Sequence, residues 1–355
     1  MDMRLLRTLV NTHGPSGREE DVADVVRAEL ADVCDAVERD AMGSLIGRRP
    51  AATRAGRGSV LLLAAHMDEL GLLVTGIEDT GFVRVIALGG WDPRTLVSQV
   101  VLVHGRKRLR GVVGTPPVHV LDEQARGKAP KIDDLVIDLG LPADRVRELV
   151  RVGDVATRDR PLQRIGDLVT GKALDDRVGV FVMLEGVRAA GACPWDLAAA
   201  ATVQEEVGLR GARTVAFRER PRVGIAIDTC PSGDGPGMKG GGTRLGKGAA
   251  IRIMDASAIG SRRLVEFMEA VARDAGIPHQ FHASGRGGTD TQALQLAGTG
   301  CAAGCISIPQ RYGHSSVEAV HPGDVEACVH LLSAVIERVG ELGDAVPPPP
   351  PPGEP

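Results

Sequence analysis

Four stretches of the chain run apolar and then stop on, or just short of, a histidine or a carboxylate. Val60-Leu-Leu-Leu-Ala-Ala65 delivers His66, Leu197 to Val203 delivers Glu205 and Glu206, Val223 to Ile227 delivers Asp228, and Cys301 to Ile308 leads towards His314. Unbroken apolar runs of this kind are expected of strands covered on both faces, as in the parallel part of an α/β sheet. Helical spacing lies between them. Val22, Val25, Val26 and Leu30 share one face, as do Val178, Phe181, Val182 and Val187, and residues 262–275 form a further amphipathic helix. Ser16, with Glu19 three residues on, predicts a capping box at the start of the second helix.

From Gly71 to Gln163 the texture changes to short apolar or alternating segments divided by Gly, Pro and Asp turns, with one helix at Ala143 to Val150. This predicts a small β-barrel or sandwich inserted into the α/β body. The expected organisation is therefore an α/β body, a mixed sheet flanked by helices, over 1–70 and 163–345, a β-domain over 71–162, and a proline-rich extended tail over 346–355. The glycine-rich segment Gly235 to Gly248 matches no phosphate loop and reads as a mobile loop.

Ligand-bearing crevices of open α/β sheets lie at the carboxyl ends of the strands, where these residues fall. Two adjacent glutamates at a loop start are ordinary solvated groups when seen once. Repetition at several strand ends is not ordinary. Side chains alternate about an extended backbone, so one of Glu205 and Glu206 can face a metal while its neighbour serves as general base. His66 and Asp68 fall on one side of the chain, which lets the carboxylate orient the ring while the other nitrogen binds metal. Asp175 and Asp176 precede a helix, where an acidic N-cap is the plain interpretation, above all for Asp176. Asp290 is either an N-cap or a site residue. His104, His119, His321 and His330 look incidental.

Composition narrows the function. The chain has 355 residues, 43% hydrophobic and 25% charged, with only 2% aromatic, so its core must be aliphatic. A net charge of −4 and few stacking rings argue against nucleic-acid binding. Six scattered cysteines without a CxxC pair suggest free thiols, and the absence of a signal-like or membrane-length apolar run points to the cytoplasm.

The motifs GPSGREE, AAHMDELGLLV, GGWDPR, GKALDDRVG, TVQEEVGLRGA, AIDT, GGTDTQA and RYGHSSVE, in this order, resemble the glutamyl and tetrahedral (TET) aminopeptidases, peptidase family M42. The resemblance implies two divalent ions per subunit, zinc first with cobalt or manganese as alternatives. His66, Asp175, Glu206, Asp228 and His314 would be the ligands, with Asp175 bridging. It also implies a bridging water, Glu205 as general base and Asp68 as the residue orienting His66. Peptide substrates would lose N-terminal residues, and the inserted domain, PDZ-like, would support a dimer building to a dodecamer. Ser44, Gly313 and the proline tail depart from the family pattern without touching a proposed ligand. Other classes weighed are a metal-dependent deacylase, an endoglucanase-type glycoside hydrolase using the paired carboxylates, and a non-catalytic assembly protein.

Overall fold

A computed structural model describes residues 1–120, 128–238 and 242–347. The expected mobility of the glycine-rich loop at 239–241 and the extended form of the tail beyond Pro347 lie outside the described residues. Helices α1 (Met3–Asn11) and α2 (Glu20–Val33) lead into a hairpin of β1 (Ala36–Arg39) and β2 (Leu45–Arg49), then β3 (Val60–His66). Six strands follow: β4 (Gly71–Ile77), β5 (Val83–Leu88), β6 (Val100–His104), β7 (Arg108–Gly114), β8 (Val136–Asp138) and, after α3 (Ala143–Leu149), β9 (Val155–Arg158). They close into a barrel in the order β4-β5-β8-β7-β6-β9. Its interior is a separate core that includes Leu72, Val74, Val83, Val101, Val113 and Ile137.

The chain then returns through β10 (Gln163–Ile165), β11 (Leu168–Gly171), α4 (Leu174–Ala189), β12 (Asp196–Thr202), α5 (Arg210–Glu219) and β13 (Val223–Pro231). It continues with β14 (Ala249–Met254), α6 (Arg262–Asp274), β15 (His279–Ala283), α7 (Thr291–Gln295), β16 (Ala302–Arg311), β17 (Glu318–Val320) and α8 (Pro322–Arg338). Among the described residues eleven strands form one mixed sheet, whose main path is β1-β2-β12-β3-β13-β16-β17-β11-β10, with β14 beside β16 and β15 beside β14. The contacts among β12, β3, β13 and β16 are parallel.

Alternation explains why the central strands read as unbroken apolar runs. Leu61, Leu63 and Ala65 of β3, with Leu197, Ala199 and Ala201 of β12, enter the core under α1, α2, α4 and α8. Leu62, Ala64, Ala198 and Ala200 enter a second layer with Val215 of α5 and Leu294 of α7. Helix α4 is buried almost all round, between the sheet and α8, as its near-continuous apolar sequence requires. Close approach of α5 to the end of β12 needs Gly211, where a Cβ would sit 2.5 Å from the Val203 nitrogen.

Several local expectations change. The β1–β2 hairpin and β15 carry too little apolar signal to be foreseen. Ser16 caps nothing: helix α2 starts at Glu20 with Glu19 in the N-cap position and no side-chain cap bond. The Ser16 hydroxyl instead donates to Asp68 Oδ2 at 2.6 Å. Ala173 precedes the first turn of α4, but Asp175 and Asp176 are non-helical, and the Asp176 carboxylate caps the regular helix that follows, as expected. All six cysteines are free. Among the described residues no helix is long and apolar enough to cross a membrane.

Candidate metal centre

Register sets the frame. Thr202 of β12 pairs with His66 of β3, and Ala226 of β13 pairs with Ala64. Asp228, two residues beyond Ala226, therefore continues along the same face as His66. Past Thr202 the chain turns through Gln204 at φ 56° and presents Glu205 and Glu206 in succession. Asp68 pins that turn, accepting the Glu205 N–H at 2.9 Å and the Glu206 N–H at 3.3 Å. Its Oδ1 lies 3.4 Å from His66 Nδ1. Burial alone would raise the Asp68 pKa, but His66, Ser16 and the Glu205 amide hold it below its ordinary value.

Asp175 and Asp176, joined by a cis peptide, open α4 just after Ala173 at φ 52°. The two carboxylate oxygens of Asp175 face different imidazoles: Oδ1 is 3.3 Å from His66 Nε2 and Oδ2 is 3.6 Å from His314 Nε2. Glu206 Oε2 is also 3.6 Å from His314 Nε2, and Glu205 Oε2 is 3.9 Å from His66 Nε2. His314, at φ 57°, gives its Nδ1 proton to the Gly90 carbonyl at 2.9 Å, which turns its Nε2 inward. The Gly89-Gly90 pair allows this passage, since a Cβ on Gly89 would meet Leu70 at 2.2 Å and Glu206 Cβ at 3.2 Å. Three non-glycine residues with positive φ, Ala173, Gln204 and His314, thus sit in or beside the cluster, where backbone strain commonly accumulates at functional sites.

Two sets of donor atoms lie within 4.8 Å of one another: His66 with Asp175 and Glu206, and His66 with Asp176 and Asp228. The five residues expected as ligands, and Glu205 and Asp68 with them, come together at the strand ends. Asp176 joins them as well as capping the helix, a second role that its place in the sequence did not show. Its Oδ1 accepts the Gly179 N–H at 3.2 Å, and its Oδ2 has no partner.

The donor set fits cations and little else. Imidazole nitrogens crowd against several carboxylates at 3.3–3.9 Å, and the buried Glu206 Oε1, Asp176 Oδ2 and Asp290 Oδ1 lack partners. Without positive charge, burial and mutual repulsion push Glu206 up to about 8, Asp228 to about 7, and Asp176 and Glu205 well above the carboxylate range. Burial disfavours charge on His314, yet Glu206 and Asp175 raise it to about 9. Cations of the hard or borderline type, with N and O ligands, relieve all of this at once.

Further residues support the cluster. Asp290, in the N-cap position of α7 but making no cap bond, accepts from the Thr202 hydroxyl at 2.6 Å. Glu318 Oε2 accepts the Asp175 N–H at 2.9 Å. Glu69 is fully buried between Lys172 Nζ at 2.7 Å and Arg177 Nη2 at 3.7 Å. The ELG and SSVE ends of the motifs were the only sequence signal for Glu69 and Glu318. A cavity of about 480 Å³ lies elsewhere, beside His13, His104 and Arg106. His104 Nε2 there meets the Thr157 hydroxyl at 2.8 Å, away from the cluster.

Comparison with known proteins fits this geometry. The family model described as M42 glutamyl aminopeptidase matches residues 43–331. The chain belongs to that family, and with it to the metal-dependent peptide hydrolases. A lysyl aminopeptidase of Pyrococcus furiosus is 34% identical across 96% of this chain and 98% of its own. An aminopeptidase from the archaeon Desulfurococcus kamchatkensis superposes with a TM-score of 0.92 at 39% identity, covering 97% of both chains. The TET1 peptidase of Pyrococcus horikoshii, which can assemble into a tetrahedron or a large octahedral shell, matches with a TM-score of 0.83 at 34% identity, over 94% of this chain and 98% of that one.

Proposed function

We propose that the protein removes single residues from the N-termini of peptides, using two divalent cations and Glu205 as general base. The observation that carries this reading is the Asp175 carboxylate lying between two imidazole Nε2 atoms, at 3.3 and 3.6 Å. Asp175 would be shared, Glu206 and His314 would complete one half, and His66 with Asp228 and Asp176 the other. When bound, the cations supply Lewis acidity, polarising the scissile carbonyl and lowering the pKa of water.

The chain's own groups do the rest. Asp68 holds the His66 ring so that Nε2 faces inward. Glu205 takes a proton from the attacking water at its carboxylate and returns it to the leaving amine. Acidic groups on every side of the cluster favour a free α-ammonium group on the substrate. The His314 side chain, 44% exposed while Glu206 and Asp175 are 4% and 12% exposed, marks the side from which the peptide enters. Residues 71–162 act as an assembly domain in this reading, and the chain forms a homo-oligomer, as the similar TET1 peptidase does.

Dialysis against a strong chelator is expected to abolish hydrolysis of aminoacyl anilides, with zinc, cobalt or manganese restoring it. The N-acetylated anilides are expected to be refused before and after. Activity that survives chelation, or equal turnover of the blocked substrates, contradicts the proposal. Cellulose in the same panel separates it from a glycosidase.

A further inference from the structure

The two halves of the cluster are held from different places. His66, Asp176 and Asp228 are secured within the large sheet and α4: His66 through Asp68, Asp176 through the Gly179 amide, Asp228 by its place in β13. The half made by Asp175, Glu206 and His314 lies on the seam with the barrel. There Gly90 receives the His314 ring, and Thr95 accepts from the Ser316 hydroxyl.

Arg158, the last residue of barrel strand β9, crosses that seam. It is 1% exposed, and its Nη1 donates to the Ser315 carbonyl and lies 3.3 Å from Glu318 Oε1. The other oxygen of Glu318 accepts the Asp175 N–H. The guanidinium also stands 4.8 Å from the centre of the Trp91 ring, one residue from the Gly90 carbonyl that orients His314. A single cation thus touches the loop behind His314, the carboxylate behind Asp175 and the turn that fixes the His314 tautomer. Planarity matters here, because a guanidinium can stack and donate at once where an ammonium cannot.

We propose that Arg158 is a positioning residue chiefly for the half completed by Glu206 and His314, while the half completed by His66, Asp176 and Asp228 feels it only weakly, through the shared Asp175. The proposal rests on the two-cation reading above. Arg158 touches neither substrate nor cation. It acts through Glu318 and Ser315, so the barrel helps to build a catalytic centre whose ligands all come from outside it.

The test is a cobalt(II) titration of the metal-stripped full chain, followed by calorimetry and visible absorption, for wild type, Arg158→Met and Arg158→Lys. Wild type is expected to bind two cations. In Arg158→Met one binding event weakens by about tenfold or more, the usual range for losing an outer support of a ligand, while the other stays within about threefold. Arg158→Lys, which keeps the charge and loses the planar stack on Trp91, falls between them and serves alone if the methionine variant does not fold. Equal weakening of both events, as general loosening would give, overturns the proposal, and so does no change in either. Fewer than two cations on wild type instead contradicts the two-cation reading itself.

Discussion

Glu205→Gln is expected to bind cations as wild type does and to lose turnover by a factor of about 10² to 10⁴, the usual worth of a positioned proton-transfer group. The substitution keeps the shape of the side chain and leaves the Glu205 N–H bond to Asp68 in place. It removes only the capacity to take a proton. Buried beside Asp228, Glu206 and Asp290, the carboxyl is pushed well above its ordinary pKa by desolvation first and by those neighbours next. Cation content by plasma emission and kcat on an aminoacyl anilide decide the matter together. Normal kcat removes Glu205 from the base role, whereas lost cations make it a ligand.

The largest effect on stability is expected from Glu69, which contacts no proposed ligand-binding atom. Its Oε1 receives Lys172 Nζ and the Gly14 N–H, with Arg177 alongside. Arg177 in turn donates to the carbonyls of Met67, Leu9 and Thr12, tying α1 and the turn before α2 to the segment that carries His66 and Asp68. Glu69→Ala leaves two fully buried cations without their carboxylate, a loss of about 3–5 kcal/mol. Burial by itself would raise the Glu69 pKa, but Lys172 and Arg177 hold it at about 2 against an ordinary 4.5. A folded-state pKa below the unfolded one stabilises above pH 4.5, and that contribution fades as pH falls towards 2. Thermal melts of wild type and Glu69→Gln should therefore converge over that interval. A gap that stays constant with pH would mean that the charge of Glu69 does not hold the cluster together.

Sequence made the strand ends legible because β3, β12 and β13 are covered on both faces. Such strands leave unbroken apolar runs, and the first polar residue after each stands out. His66, Glu205, Glu206 and Asp228 were visible for that reason, and the barrel for the opposite one, short alternating segments between turns. Asp176 was half legible: it caps the helix as its position suggests, its Oδ1 accepting the Gly179 N–H, but nothing local shows that the same carboxylate lies within reach of His66 and Asp228. Ser16 misled outright, its hydroxyl reaching Asp68 52 residues away. Arg158 was illegible for a different cause. Its meaning lies in a contact with Glu318 across two sheets, 160 residues apart in sequence, that no local pattern encodes.

The account turns on whether imidazoles and carboxylates from separate strand ends enclose a pair of cations. Anomalous diffraction from crystals grown with zinc measures this most directly. Two peaks are predicted, both against Asp175, one beside Glu206 and His314 and the other beside His66 and Asp228. A map with no peak among these residues, or with a single ion that leaves either histidine uncoordinated, would contradict it.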